Sequence, residues 1–134
     1  MWQCPKCDRT FQKRNQSHSC REAYPLEKHF EGKTKAKKLY DILKSNIETH
    51  IGPCTIDSRE CCIHFVHGRT FAACWPLKDK LRIDFSLPTE ITPKKFYKIT
   101  KISLHRYIYY VDIDDTNQIN TELLGWIKES YAVV

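Results

Sequence analysis

Glycine is scarce in this 134-residue chain: Gly32, Gly52, Gly68 and Gly125 are its full complement, and each stands alone. A phosphate-cradling loop needs glycines grouped at fixed spacing so that backbone N–H groups can close on the anion, and no such group is present. Long apolar runs are missing too. The uncharged stretches fall far short of the roughly 20 residues that a bilayer-spanning helix requires, so no membrane partner is expected. The metalloprotease pattern HExxH and the hydrolase elbow GxSxG do not occur. A nuclease-like strand carboxylate with a lysine two positions on is also absent, because Asp84 is followed by Phe85 and Ser86. No catalysis is evident from these patterns. What remains is an ordinary globular composition, 41% hydrophobic and 28% charged, neither disordered nor membrane-like.

The specific signal is at the start of the chain. Cys4, Cys7, His18 and Cys20 form a C-x2-C-x10-H-x-C set. A C-x2-C turn lets two sulfurs converge on one ion, and a second pair about a dozen residues later completes tetrahedral N/S ligation of Zn2+. All four positions are filled by protein, so the ion is structural. A segment of about twenty residues cannot bury enough apolar surface to fold unaided, whereas structural zinc supplies roughly 10–16 kcal/mol of apparent folding free energy. Trp2 and Phe11 flank the first pair as in the first half of a C2H2-type finger, where two aromatics pack on the metal turn. The closing pair departs from that type. Residues i and i+2 point the same way only in extended backbone, so His18 and Cys20 are expected on a loop or at a helix end. Were they mid-helix, His29 would substitute for Cys20. A disulfide is the other use for such cysteines, but a zinc finger argues for a reducing compartment. It also occupies the place where a signal peptide would need an apolar core, and the expected location is the cytoplasm. Cys54, Cys61, Cys62 and Cys74 then remain as small hydrophobes among Ile, Phe, Val and Ala.

The net charge of +6 is unevenly distributed. Residues 1–40 hold ten Lys and Arg against four acids, while residues 41–134 hold twelve of each sign. Three thiolates around one Zn2+ would remove about one unit of this excess. A basic head beside a neutral domain suggests a surface facing a polyanion. Lys6, Arg9, Lys13, Arg14 and Arg21 are the candidate nucleic-acid contacts, to phosphates rather than base edges. The rival reading is a protein-interaction module, in which zinc only staples the surface and the cations face an acidic protein partner.

Three segments follow from the pattern: a zinc finger over 1–24, a connector over 25–34 and an α+β domain over 35–134. In the connector, Pro25 is placed to open a short helical turn through Phe30, with Gly32 ending it, and Leu26 and Phe30 are expected to pack on the domain. A helix begins at Lys35 with Thr34 as its cap; Ala36, Leu39, Leu43 and Ile47 share one face, and Gly52-Pro53 ends it. Lys35, Lys37 and Lys38 crowd its first turn. They could hold an anion, but a solvated charge run is favoured because exposed dipole effects are small. Strands are expected at Cys54–Asp57, Cys61–His67, Thr70–Trp75, Leu81–Leu87 and Tyr107–Ile113, with 88–103 undecided. Leu81, Ile83, Phe85 and Leu87 alternate with Arg82, Asp84 and Ser86, predicting one covered and one wet face. Short connections make the sheet antiparallel. A last helix over 116–131 carries Ile119, Leu123, Trp126, Ile127 and Tyr131 as its stripe, with Asp114 and Asp115 at its start and Gly125 marking close packing on the sheet. The expected fold is an antiparallel sheet with an N-terminal and a C-terminal helix packed on it.

Two polar groups in the domain invite a functional reading. Cys61, Cys62, His64, His67, Cys74 and His105 suggest a second metal site or a Cys-His nucleophile, with Cys62 and His64 on one strand face and Cys61 with His67 on the other. Lacking C-x2-C or H-x3-H spacing, they read better as core and rim residues, and a ligand site or enzyme built on His64, Cys62 or His105 is the weakest alternative. Phe96, Tyr97, Tyr107, Tyr109 and Tyr110 lie near Lys94, Lys95, Lys98, Lys101 and Arg106, a mixture that can stack bases and pair phosphates. Tyrosines covering a helix and solvated lysines explain the same pattern more simply.

Taken together, the motifs MWQCPKCDRTFQKRNQSHSC, LEKHFEGK, LYDIL, GRTFAACWPLKDKLRIDFSL, HRYIYYVDI and ELLGWIKESY resemble a group of uncharacterised bacterial proteins. In these a CCHC-type zinc-finger head is followed by a small α+β domain of unknown function. The resemblance spans nearly the whole chain. It implies Cys4, Cys7, His18 and Cys20 as zinc ligands, and a second domain that also forms the tail of larger proteins, some with endonuclease-like parts. It implies no reaction, substrate or catalytic residue.

Overall fold

A computed structural model describes residues 2–5, 10–11, 13–15, 24–88, 98–104 and 106–132. In the head, strand β1 (Trp2–Gln3) pairs antiparallel with β2 (Thr10–Phe11), and Trp2 lies directly opposite Phe11. The rest is α1 (Thr34–His50), then β3 (Thr55–Ser58), β4 (Ile63–His67), β5 (Arg69–Pro76), β6 (Leu81–Leu87), β7 (Lys98–Ser103) and β8 (Arg106–Ile113), and finally α2 (Thr121–Ala132). The six strands form one antiparallel sheet in the order β3-β4-β5-β6-β8-β7. The domain is therefore α+β, as its alternating strands and two amphipathic helices predict.

Both helices pack on β5 and β6 from one side. Ala36, Leu39, Tyr40, Leu43 and Ile47 of α1 join Leu123 and Ile127 of α2, and together they meet Ile63, Phe65, Leu81, Ile83 and Phe85 in one core. Period-2 alternation in β6 and β8 dictates this: Leu81, Ile83, Phe85, Leu87 and Tyr109, Val111, Ile113 are all buried, so the residues between them occupy the opposite face. The opposite face carries no helix among the described residues.

Several local expectations are corrected. Thr34 is the first residue of α1 rather than its cap; Lys33 holds that place without a side-chain cap bond. Pro25 precedes the 3-10 turn Leu26–Phe30 instead of starting it, while Gly32 follows with φ +69°, the left-handed region that favours glycine. Phe30 enters the core and Leu26 packs against it, as expected. The last helix is two elements. Asp115 caps a 3-10 turn, Thr116–Gln118, in a reciprocal box with Gln118. Asn120 Oδ1 then accepts the Leu123 N–H at 3.0 Å at the start of α2, because the side-chain oxygen satisfies an amide that has no helical partner. Gly125 does not mark close packing: a Cβ there would meet open space. The close approach is at Gly52, where a Cβ would lie 2.6 Å from the Tyr131 hydroxyl.

Strand ends also move. β3 runs one residue later than expected, β5 starts at Arg69, and β4 starts at Ile63, which leaves Cys61 and Cys62 in the β3–β4 turn. A bulge between Phe65 and Val66 puts Ala72 opposite Phe65 and Thr70 opposite Val66. Phe71 is the extra residue and is buried in the core, its ring 6.3 Å from Phe65. Within the undecided stretch, β7 forms the sheet edge. Of the three lysines in the first turn of α1, Lys37 pairs with Asp41 at 2.7 Å.

Candidate functional site on the open sheet face

The register of the sheet lines up one row of residues on the face away from the two helices. Asp57, His64, Ala73, Asp84, Tyr110 and Lys98 are direct neighbours, strand to strand, from β3 to β7. Beside this row Trp75 lies opposite Arg82, which lies opposite Asp112. These rows border a cleft of about 380 Å³ whose polar walls include Arg59, His64, Trp75, Asp84, Arg106 and Tyr110, a volume within the range of small-molecule sites. A larger cleft of about 480 Å³ lies between the end of α1 and the start of α2, with His50 and Lys128 as its ionisable groups.

Asp84 is the acid of the first cleft. Burial pushes its carboxyl pKa up to about 6, against the opposing hydrogen bond from Trp75 Nε1, which is 2.8 Å from Oδ2. Asp112 shows the reverse. Hydrogen bonds from Arg82, Nε at 2.7 Å and a terminal nitrogen at 3.1 Å, hold its carboxyl below the usual range, helped by Lys80 at 2.9 Å. Arg59 Nε contacts Asp57 at 2.9 Å. Arg106 is near enough to Arg69 to lower the latter's pKa, second to burial.

The β3–β4 turn delivers thiols to the same face. The Arg59 N–H donates to the Cys62 carbonyl at 2.9 Å, closing the turn. Cys61 Sγ then lies 2.9 Å from Cys62 Sγ, and Cys62 Sγ lies 3.2 Å from His64 Nε2. His64 Nδ1 meets Thr70 Oγ1 at 3.2 Å. The three ligand atoms of Cys61, Cys62 and His64 all fall within 4.8 Å of one another, a group able to hold a metal ion. Of the six Cys and His residues grouped in the sequence, these three come together, with Cys62 buried and Cys61 exposed at the rim. Cys61 does not share a face with His67: it precedes the strand and joins Cys62, while His67 stacks on Tyr131 at 4.5 Å. Burial, then the Cys61 contact, pushes the Cys62 thiol up, and burial does the same to Cys74.

The other anticipated residues are distributed as follows. Cys4 is buried, and Lys13 and Arg14 are exposed. Cys7, His18, Cys20, Lys6, Arg9 and Arg21 lie outside the described residues, as do His105, Lys94, Lys95, Phe96 and Tyr97. His29, the substitute ligand, is buried with Nε2 3.0 Å from Ser58 Oγ and its ring 4.9 Å from Tyr24. Of the aromatic surface, Tyr109 is core, stacked on Phe85 at 5.9 Å, and Lys101 lies 5.8 Å over the Tyr107 ring. Asp84, Trp75 and Arg59 were not anticipated as site residues. The alternation of β6 does place Asp84 on the face away from the core, but the strand register that sets Trp75 beside it is not written in either strand alone.

Residues 26–134 match a family described as a domain of unknown function, DUF5655. The chain belongs to this family. No curated protein and no solved structure matches it. The DUF5655 match begins at Leu26, the residue from which the 3-10 turn starts to pack on the core, and it includes the whole open-face cleft.

Proposed function

We propose that this DUF5655 protein is a cytoplasmic zinc-binding protein whose head, residues 1–24, folds around Zn2+ held by Cys4, Cys7, His18 and Cys20. The head contacts nucleic acid through phosphates, with Lys6, Arg9, Lys13, Arg14 and Arg21 as the contacting cations, and the DUF5655 domain serves as a docking or regulatory module. The observation that carries this reading is charge: residues 1–24 hold those five cations against Asp8 and Glu22 alone. The pairing of Trp2 with Phe11 beside a buried Cys4 supports a hairpin built around the first ligand turn. Lys28, Lys33, Lys35, Lys37 and Lys38 belong to the 3-10 turn, the loop and α1 of the DUF5655 domain, so they are not assigned to the head.

The test is fluorescence anisotropy of the zinc-loaded protein against single- and double-stranded DNA and RNA over a range of salt. Five phosphate contacts on duplex DNA give a slope of log K against log salt of about −4.5, and Cys7→Ser abolishes binding. Salt-insensitive capture of an acidic protein, with no nucleic-acid binding at low salt, would transfer the head to protein recognition.

A second reading concerns the sheet, and the cleft favours it: the domain binds a small molecule on its open face. Arg59 and Arg106 suit an anionic group, while Asp84 and Tyr110 suit polar groups. A thermal-shift screen of small carboxylates and phosphates that leaves the melting temperature unmoved would remove this reading.

A further inference from the structure

We propose that Cys61, Cys62 and His64 form a second metal site, separate from the head, that takes a thiophilic divalent cation of the zinc class and leaves one coordination position beyond these three ligands. The donor set comes from two local causes. Cys62 and His64 are two residues apart in extended backbone and so project to one side, and the turn at Arg59–Cys62 brings Cys61 back onto the same point. Two sulfurs and an imidazole select zinc-like ions over magnesium or calcium, which require oxygen donors.

The three donors are gathered, but not yet at the spacing of a bound ion. Tetrahedral zinc, with Zn–S near 2.3 Å, holds two sulfurs about 3.8 Å apart. The Cys61 and Cys62 sulfurs are 2.9 Å apart and the Cys62 sulfur is 3.2 Å from His64 Nε2, so the two sulfurs need to part by about 1 Å to hold such an ion. Cys61 is exposed and has room to turn outward, whereas Cys62 is buried. Thr70 Oγ1 contacts His64 Nδ1, which orients the ring with Nε2 toward the sulfurs, the usual arrangement behind a metal-bound histidine.

Among the described residues no fourth Cys, His, Asp or Glu joins this group. Two cysteines and one histidine fill three positions of a tetrahedral ion and leave the fourth to another donor. His64 also forms part of the wall of the open-face cleft. An ion on its Nε2 therefore sits at the cleft's edge, where water or a small anion can complete the coordination.

The test is a Co2+ titration of the reduced, metal-free full chain, followed by visible and near-ultraviolet absorption. In a Cys4→Ser, Cys7→Ser background, which disables the head, one equivalent is expected to bind with the intense visible bands of a tetrahedral ion and thiolate charge transfer. Adding Cys61→Ser, an exposed substitution, should weaken this uptake at least tenfold. His64→Gln should do the same, with circular dichroism verifying that each variant is folded. Folded Cys61→Ser and His64→Gln proteins that bind Co2+ as tightly as the background would overturn the proposal, and so would a background protein that takes up none. Failure of the head's own site shows separately, as no loss of an equivalent between the wild type and the background.

Discussion

Trp75 donates its indole N–H to the Asp84 carboxyl at 2.8 Å across the diagonal between β5 and β6, so an acid is held on a largely shielded part of the open face. That relationship makes stability depend on pH. The folded state raises the Asp84 pKa to about 6 from an ordinary value of 3.8. The folded protein then binds this proton more tightly than the unfolded chain. The stabilisation is fully present below the unfolded value and is lost as pH rises through about 6, an effect of up to about 3 kcal/mol. Asp84→Asn should flatten the slope of stability between pH 4 and 7 and raise stability at pH 7.5. Urea unfolding of both proteins across that range measures it, and parallel curves would show that Asp84 is not the group responsible.

Asp112 should contribute with the opposite sign. Its carboxyl is held low, chiefly by Arg82, so its stabilisation is present above the unfolded pKa and disappears as pH falls through the folded value. Asp112→Asn is expected to remove an acid-side loss of stability and to lower stability at neutral pH by about 1 kcal/mol, because the ion pairs are partly exposed. Unfolding midpoints at pH 3 and pH 7 separate the two effects.

The Tyr40 hydroxyl is buried without a hydrogen-bond partner among the described residues. Removing an unsatisfied buried group avoids a desolvation penalty of about 1–3 kcal/mol. Tyr40→Phe, which keeps the ring against Phe30 and Phe65, should move the urea midpoint upward with an unchanged slope.

Ser130 is fully buried; its hydroxyl donates to the Phe71 carbonyl at 2.6 Å. Ser130→Ala leaves that carbonyl, at the β-bulge, without this donor and should cost about 1–3 kcal/mol. A melting temperature equal to that of the wild type would show that water replaces the bond.

Period and burial made most of the fold legible. β6 was bounded to the residue by its alternation, and the α1 face Ala36, Leu39, Leu43, Ile47 is the buried face. The failures occurred where a single side chain or turn decides. Gly125 reads as a packing glycine on propensity alone, yet the position is open; Asn120 starts α2 from inside what looks like one continuous helix. The thiol group was hidden for a similar reason. Extending β4 back to Cys61 puts the two cysteine side chains on opposite faces, and only the turn closed between Arg59 and Cys62 reverses this. Asp84 was placed on the correct face, but its environment depends on Trp75 in the neighbouring strand.

The bonds that tie α2 down reach far back along the chain. Tyr131 donates to the Pro53 carbonyl beside Gly52 at a separation of 78 residues, and Ser130 reaches Phe71 across 59. A growing chain emerges from its N-terminal side first, so the sheet can pair while half of its apolar cover is still to be made. Until residues 121–132 arrive, Phe71, Phe85 and their neighbours lack the helix that shields them. Substitutions that weaken α2 should therefore reduce the yield of soluble protein during synthesis beyond what their effect on the finished fold would suggest.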